Sequence, residues 1–97
     1  MCYIDNVVSA NVLAAEASMK FMGKTYNVAC GDRTENREIL AYLQDRYPGA
    51  VVNHAPWRPG DVMHTKADIS SIQNDLGYEP IVRFWEGLER TLEWWNI

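Results

Sequence analysis

Apolar residues recur with a helical period in the first segment of the chain, from Ile4 to Met19. The apolar stripe consists of Ile4, Val7, Val8, Val12, Ala15 and Met19. Asp5 or Asn6 is available to cap the start of this predicted helix. The opposite side carries Ala10, Leu13, Ala14 and Ala17. A helix that is apolar nearly all round should be covered by other structure on more than one side.

A second helix is predicted between two breaks in the pattern. Thr34 is suited to cap its start, the helix runs to about Arg46, and Pro48-Gly49 ends it. Its predicted inner face consists of Ile39, Leu40, Leu43 and Tyr47. Two short runs flank this helix, residues 25–29 (TYNVA) and 50–54 (AVVNH). Their β-branched and aromatic residues predict strands.

Two more helices are predicted in the last third of the chain. Asp68 or Ser70 opens the first, Ser70 and Gln73 are spaced as a capping box, and Gly77 stands where a C′ glycine belongs. Its inward positions are Ile69, Ile72 and Leu76. The last helix runs from about Phe84 to Trp95, with an inner stripe of Trp85, Leu88, Leu92 and Trp95 and with Trp94 partly covered. The order of elements predicts a mixed α/β fold, helix-rich with two or three short strands, in one domain spanning residues 1–97.

Length, charge and cysteine content narrow the classes of function. The chain has 97 residues, 47% of them hydrophobic, which is enough for one small core. A net charge of −4 without a cluster of basic residues argues against a nucleic-acid surface. No apolar run approaches the ~20 residues that a membrane span needs. Cys2 and Cys30 follow no secretory signal, so we expect reduced, buried thiols in a cytoplasmic protein.

The residue types needed for catalysis do not occur in a recognisable arrangement. The chain has no G-x-G-x-x-G motif, no P-loop and no Tyr-x-x-x-Lys pair. His54 and His64 are candidates to join Cys2 or Cys30 in a metal site, but their spacing matches no zinc pattern. A complete small enzyme is therefore not predicted.

One segment, Arg58-Pro59-Gly60-Asp61, has residues suited to ligand binding. Arg58 offers a planar fork that matches a phosphate, and Gly60 permits close approach of the backbone. Asp61 can accept hydrogen bonds from a diol such as ribose. The alternative is an Arg–Asp salt bridge across a type I or type II turn. Trp57, which precedes the motif, is either a base-stacking residue or a core or interface ring.

Several ordered segments resemble the extended short-chain dehydrogenase/reductase family, the NAD-dependent epimerases and dehydratases of nucleotide sugars. The segments are CYIDNVVSANVLAA (2–15), TYNVACGDRT (25–34), RPGDVMHTKADIS (58–70), LGYEP (76–80) and EGLERTLEWW (86–95). They follow the order of the family's C-terminal portion and cover nearly the whole chain. Within the family, they are most similar to the UDP-N-acetylglucosamine and UDP-glucose 4-epimerase types.

The resemblance implies a substrate-binding role for three residues. Arg58 would contact the diphosphate of a UDP-sugar, Asp61 would help to hold the ribose, and Gly60 would lie between them. A second diphosphate arginine of the family would fall just before Met1, so we expect an incomplete half-site and weak or absent binding in isolation.

The resemblance also implies what this chain lacks. The NAD of the full-length family is bound by a glycine-rich loop in an N-terminal Rossmann half, which also holds the Tyr-x-x-x-Lys pair. We therefore expect no catalytic residue and no cofactor in this chain, and no activity alone. The alternative is a non-catalytic structural module that forms a homo-oligomer or pairs with a Rossmann-domain partner through the uncovered first helix.

Overall fold

The computed structural model describes residues 1–61 and 64–95, which form four helices joined by irregular segments. Helix α1 spans Ile4–Glu16, α2 spans Asn36–Arg46, α3 spans Ser70–Leu76 and α4 spans Phe84–Trp95. No strand forms within these residues. The predicted mixed α/β fold is therefore wrong, because the described part of the chain is all-helical.

Both segments predicted as strands are irregular. A short strand is stabilised by hydrogen bonds to a neighbouring strand, and a lone segment lacks them. In residues 25–29, Tyr26, Val28 and Ala29 are partly buried against the core without such pairing. In residues 50–54, Val51 is 85% exposed. The aromatic Tyr26 and the β-branched Val28 of the first segment thus do pack against the core. In neither segment do such residues lead to strand pairing.

The chain divides into two compact units. The first comprises residues 1–32 and 66–97 and contains α1, α3 and α4. The second comprises residues 33–65 and contains α2. None of the four described helices has the length and apolar character of a membrane span. The assignment of residues 1–97 to one substrate-binding lobe stays a prediction.

The core of the first unit joins α1 to the α3 region. Ala10, Ile69, Ile72 and Tyr78 are buried together, and Leu76 packs against them. The predicted inner face of α3 is thus confirmed. Gly77 ends this helix in the left-handed conformation (φ +66°), as predicted from its C′ position.

The start of α3 differs from the prediction. The capping box of Ser70 and Gln73 is not formed; the Asp68 carboxylate instead accepts hydrogen bonds from the Ser70 amide (2.9 Å) and hydroxyl (2.6 Å). The hydrogen bond from the Ser70 hydroxyl contributes most to lowering the pKa of Asp68, and the bond from the Ser70 amide lowers it further. The Gln73 side chain donates to the Glu79 carboxylate instead.

Helix α1 packs through its small residues. Ile4, Val8 and Val12, which belong to the predicted stripe, are 60%, 53% and 48% exposed, whereas Ala10 is buried. The helix ends at Glu16 rather than at Met19, because Ala17 is already extended. Neither Asp5 nor Asn6 caps the start; Tyr3 is the N-cap residue, without a side-chain hydrogen bond.

Asn6 determines which face of α1 points inward. It is fully buried, and its Nδ2 donates to the carbonyl of Val82 at 2.8 Å and contacts the Cys30 thiol at 3.5 Å. Its Oδ1 accepts from the amides of Ile81 (2.8 Å) and Val82 (2.9 Å). These bonds tie α1 to the backbone just before α4. Because Ala10 lies one turn beyond Asn6, it is carried into the core on the same face.

Helix α4 has the predicted bounds, but burial decreases along it. Gly87 is buried, Leu88 and Leu92 are half-buried, and Trp95 is 64% exposed. Trp85, which was also predicted on the inner stripe, is 40% exposed, so the predicted inner positions of Trp85 and Trp95 are both wrong. Trp94, predicted as partly covered, is 80% exposed, and its ring centroid lies 6.1 Å from that of Trp95. The two rings contact each other at the end of a helix that packs mainly through its first turns.

The apolar residues of the second unit are less buried than those of the first. Helix α2 begins after Glu35 rather than Thr34, and the Glu38 carboxylate accepts a hydrogen bond from the Glu35 amide at 2.8 Å. The predicted inner residues Ile39, Leu40 and Leu43 are only half-buried, and α2 has no fully buried residue. Tyr47, which was also predicted to face inward, follows the end of the helix and is 39% exposed.

Candidate functional site

The motif Arg58-Pro59-Gly60-Asp61 forms a tight turn in the second unit. The Asp61 amide donates to the Arg58 carbonyl at 3.1 Å, and Gly60 has φ +88°. A positive φ at the third residue, after a proline, is the geometry of a type II turn. Other residues rarely adopt this φ, so Gly60 fixes the shape of the segment locally.

The side chains of Arg58 and Asp61 contact each other across this turn. The Asp61 carboxylate accepts a hydrogen bond from the Arg58 amide at 2.9 Å, and Arg58 Nη2 lies 3.3 Å from Asp61 Oδ1. The salt bridge, which was the alternative interpretation of the motif, is thus present. The Arg58 side chain is 85% exposed. The ligand role of Arg58, Gly60 and Asp61 stays a prediction.

Trp57 adjoins two cavities of the second unit and is 62% exposed, so it is not a core ring. The first cavity has a volume of about 340 Å³ and is lined by Asn36, Ala55, Pro56, Trp57, Arg58 and Asp61. It places an indole face, a guanidinium and a carboxylate around one open space. This combination is suited to a ligand with a flat ring, an anionic group and hydroxyl groups.

The second cavity, with a volume of about 510 Å³, lies against the start of α2. It is lined by residues 33–37, Trp57, His64 and Thr65. Arg33 Nη2 lies 2.6 Å from His64 Nδ1, and the Arg37 guanidinium pairs with the Glu35 carboxylate. Because a guanidinium can only donate, this contact is a hydrogen bond when His64 Nδ1 accepts.

The sequence did not reveal this second cavity. Arg33 and His64 are separated by 31 positions and belong to no common motif. His64 was a candidate only for metal binding. Within residues 1–61 and 64–95, no group of three or more His, Cys, Asp and Glu side chains is arranged to hold a metal ion.

The two cysteines lie in the first unit and are free thiols. Cys30 is buried, as predicted, and Cys2 is half-buried. Burial raises the pKa of the Cys2 thiol above its usual value, as does its neighbour Cys30. A raised pKa keeps the thiol protonated and lowers its reactivity. The Cys2 thiol is therefore less reactive than an ordinary cysteine, and the Cys30 side chain is buried.

Comparison with known proteins identifies relatives that cover most of this chain. No family model matches it. It is 31% identical over 76 residues to a dTDP-glucose 4,6-dehydratase of Streptomyces niveus, which covers 76% of this chain and 23% of that protein. Enzymes of the same name from Xanthomonas campestris pv. campestris (27%) and Neisseria meningitidis serogroup B (28%) also match 76% of the chain and 24% of their own length.

The chain thus spans about a quarter of the length of these curated relatives. The match lies in their C-terminal part, in agreement with the order of the sequence motifs. It does not support the finer assignment to a 4-epimerase type. The similarity supports the epimerase/dehydratase family of extended short-chain dehydrogenases for this chain.

Proposed function

We propose that this chain is the nucleotide-sugar-binding part of an epimerase or dehydratase, and that Arg58 binds the diphosphate of its ligand. The turn at residues 58–61 is the observation that carries the proposal. It presents a guanidinium that is 85% exposed, next to an indole and at the edge of a cavity. The similarity to dTDP-glucose 4,6-dehydratases supports the choice of a nucleotide sugar as the ligand class.

The turn is organised so that Arg58 can exchange partners at low cost. Two hydrogen bonds hold it without the guanidinium: Asp61 amide to Arg58 carbonyl, and Arg58 amide to Asp61 carboxylate. The side-chain ion pair is exposed and contributes only about 0–1 kcal/mol. A diphosphate can therefore replace Asp61 as the partner of Arg58 while the turn persists. The carboxylate oxygens of Asp61 retain lone pairs that can accept a ribose hydroxyl.

The ligand is proposed as a pyrimidine nucleoside diphosphate sugar. The sequence motifs resemble those of enzymes acting on UDP-sugars, and the curated relatives are named for dTDP-glucose. UDP and dTDP share the diphosphate that Arg58 would contact and the 3′-hydroxyl of the sugar ring that Asp61 would contact. NAD and the catalytic groups are proposed to belong to the remainder of a full-length enzyme, and a UDP-sugar 4-epimerase is one such parent.

Titration of ¹⁵N-labelled protein with UDP and with dTDP, followed by NMR, tests the proposal. The method detects dissociation constants in the range of roughly millimolar, which one arginine contact is expected to give. We expect shifts at residues 58–61 and at least about tenfold weaker binding for Arg58→Gln.

Arg83→Gln is the matched control, because Arg83 also forms an exposed pair, with Asp32, but in the first unit. This variant should bind both nucleotides as the unmodified chain does. Binding that survives Arg58→Gln unchanged would contradict the assignment of Arg58.

We also propose a second function, association through α1. Ile4, Val8 and Val12 follow each other at one-turn spacing and form an exposed apolar face. Such a face favours association with a second copy or with a Rossmann-domain partner. Light scattering at tens of micromolar should show an oligomer that Val8→Lys weakens and that Ala41→Lys, on the exposed side of α2, does not. A monomer at that concentration would contradict self-association.

A further inference from the structure

The cavity at the start of α2 combines charge and an aromatic ring in a space large enough for a nucleotide. Its volume of about 510 Å³ lies within the range of small-molecule sites. Arg33, His64 and Trp57 all line it. These three residues lie outside the Arg58–Asp61 turn, and they belong to the same compact unit.

Arg33 differs from other arginines of the chain in the chemistry of its partner. Arg37, Arg58, Arg83 and Arg90 each pair with a carboxylate. The partner that the described residues provide for Arg33 is the imidazole of His64, at 2.6 Å. An imidazole orients the guanidinium but supplies no negative charge to compensate it. An anion is therefore attracted to Arg33 more strongly than to an arginine that already faces a carboxylate.

In the lining of the cavity, guanidinium groups outnumber carboxylates. Residues 34–37 line the cavity where α2 begins, and the Glu35 and Glu38 carboxylates already cap that end of the helix, so the helix dipole is compensated there. Glu35 is the acidic residue of the lining, and its carboxylate is paired with Arg37. The lining thus contains two guanidinium groups and one carboxylate, together with the His64 imidazole.

Trp57 connects this cavity to the Arg58–Asp61 turn. The indole lines both cavities and is 62% exposed, so a flat ring can reach its face. Bases stack on aromatic side chains with little dependence on sequence or hydrogen bonding. A nucleotide stacked on Trp57 would place its phosphates in cavities that Arg33 and Arg58 also line.

We propose that Arg33 and Trp57 form a second part of the nucleotide site, in which Trp57 stacks on the base and Arg33 binds a phosphate. The proposal rests on the proposed function, since it takes the same nucleoside diphosphate as the ligand. His64 positions the Arg33 guanidinium. The site is thus built from two arginines, Arg33 and Arg58, each of which lines a cavity together with Trp57.

Three probes separate the two contacts: UDP, which carries base and phosphates, uridine, which lacks phosphate, and inorganic pyrophosphate, which lacks a base. Each is titrated into the ¹⁵N-labelled chain, its Arg33→Gln variant and its Trp57→Leu variant. We expect Arg33→Gln to weaken the binding of UDP and of pyrophosphate at least about tenfold and to leave the binding of uridine unchanged. Trp57→Leu should weaken UDP and uridine and leave pyrophosphate unchanged. Arg83→Gln and Trp94→Leu, which change exposed residues of the first unit, should leave all three unchanged.

The outcomes distinguish this site from the proposed role of Arg58. If UDP shifts only residues 58–61 and Arg33→Gln binds normally, the second part of the site is wrong and the role of Arg58 stands. If Arg33→Gln weakens the binding of UDP and Arg58→Gln does not, the role of Arg58 is wrong and the role of Arg33 stands. A further outcome is that pyrophosphate binds as tightly as UDP while Trp57→Leu changes the binding of neither UDP nor uridine. That result would show a simple anion site and overturn the role of Trp57. No shift with UDP up to about 10 mM would overturn both proposals.

Discussion

The two compact units of this chain differ in how they are held together. The first unit contains every fully buried residue of the described chain, including Asn6, Ala10, Ile72, Tyr78 and Val82. In the second unit, residues 33–61, 64 and 65 include none. The candidate ligand groups, Arg33, Trp57 and Arg58, all belong to this second unit.

This difference separates the residues that stabilise the chain from those that are proposed to bind. A region with few buried contacts opens at a lower free energy than one with a full core. We therefore expect substitutions in the first unit to change the free energy of unfolding strongly, and substitutions at the candidate site to change it little. The following predictions test this contrast from the largest expected effect to the smallest.

Removing the Asn6 side chain should destabilise the first unit most. Asn6→Ala leaves the buried carbonyl of Val82 and the amides of Ile81 and Val82 without their partner. Each unsatisfied buried group costs about 1–3 kcal/mol, so we expect a loss of roughly 3–5 kcal/mol in the free energy of unfolding. Urea denaturation followed by circular dichroism measures it.

Asn11→Ala is the control for this effect, because it removes an asparagine from the same helix. The Asn11 side chain is exposed and donates to the Val7 carbonyl within α1. Its loss should change the free energy of unfolding by no more than about 0.5 kcal/mol. Equal effects of the two variants would show that Asn6 does not organise the core.

Alkaline pH should weaken the first unit through Tyr78. The ring is fully buried, its hydroxyl donates to the Ala29 carbonyl at 2.8 Å, and burial raises its pKa from 10.0 to about 12. The stability linked to this group is complete below pH 10, where both states are protonated, and is lost as the pH rises towards 12. The expected loss is about 3 kcal/mol.

Unfolding by urea at a series of pH values from 9 to 12 checks this prediction. Tyr47→Phe, which changes a tyrosine that is 39% exposed in the second unit, should leave the pH dependence unchanged. Tyr78→Phe should reduce the loss above pH 10, at the cost of the hydrogen bond to Ala29. A free energy of unfolding that stays constant up to pH 12 would contradict a buried, protonated Tyr78.

Adding one methyl group at a glycine should affect the two units differently. In Gly87→Ala the new Cβ would lie 2.7 Å from Tyr3 Cβ, an atom close to the backbone that cannot rotate away. Overpacking costs about 1–3 kcal/mol, and the better helix propensity of alanine returns up to ~1 kcal/mol. We expect a net loss of roughly 1–2 kcal/mol, measured as a lower midpoint of thermal unfolding.

Gly49→Ala is the counterpart in the second unit, where no heavy atom other than those of residue 49 and its two chain neighbours lies within 4 Å of the added Cβ. We expect its free energy of unfolding to stay within about 0.5 kcal/mol of that of the unmodified chain. A similar loss in both variants would mean that the second unit is packed as tightly as the first.

The elements that follow from local signals were predictable from the sequence. The bounds of α4 agree with its periodicity, and the end of α3 agrees with the position of Gly77. The inner face of α1 was not predictable, because apolar residues surround that helix and its period selects no side. The side is chosen by Asn6, which bonds to the Ile81 amide 75 positions away.

The candidate site also has one part that local sequence signals predict and one part that they do not. The turn at Arg58 follows from the adjacent Pro59 and Gly60, which restrict the backbone locally. The contact between Arg33 and His64 depends on how the irregular residues 47–61 return the chain to the start of α2, and no periodic signal encodes that path. Burial of Trp95 was predicted wrongly because helical spacing gives the face of a side chain but not how far the packing extends along the helix.

The smallest effect on stability is expected for Arg58→Gln, and this is what makes its effect on binding interpretable. The guanidinium is 85% exposed and lies 3.3 Å from Asp61, so the pair contributes at most about 1 kcal/mol. The hydrogen bond from the residue 58 amide to the Asp61 carboxylate does not depend on the side chain at that position. We therefore expect a change within about 0.5 kcal/mol in urea denaturation, together with weakened binding of UDP. A larger loss of stability would identify Arg58 as a structural residue of the turn, and weaker binding by the variant would then follow from a distorted loop rather than from a lost phosphate contact.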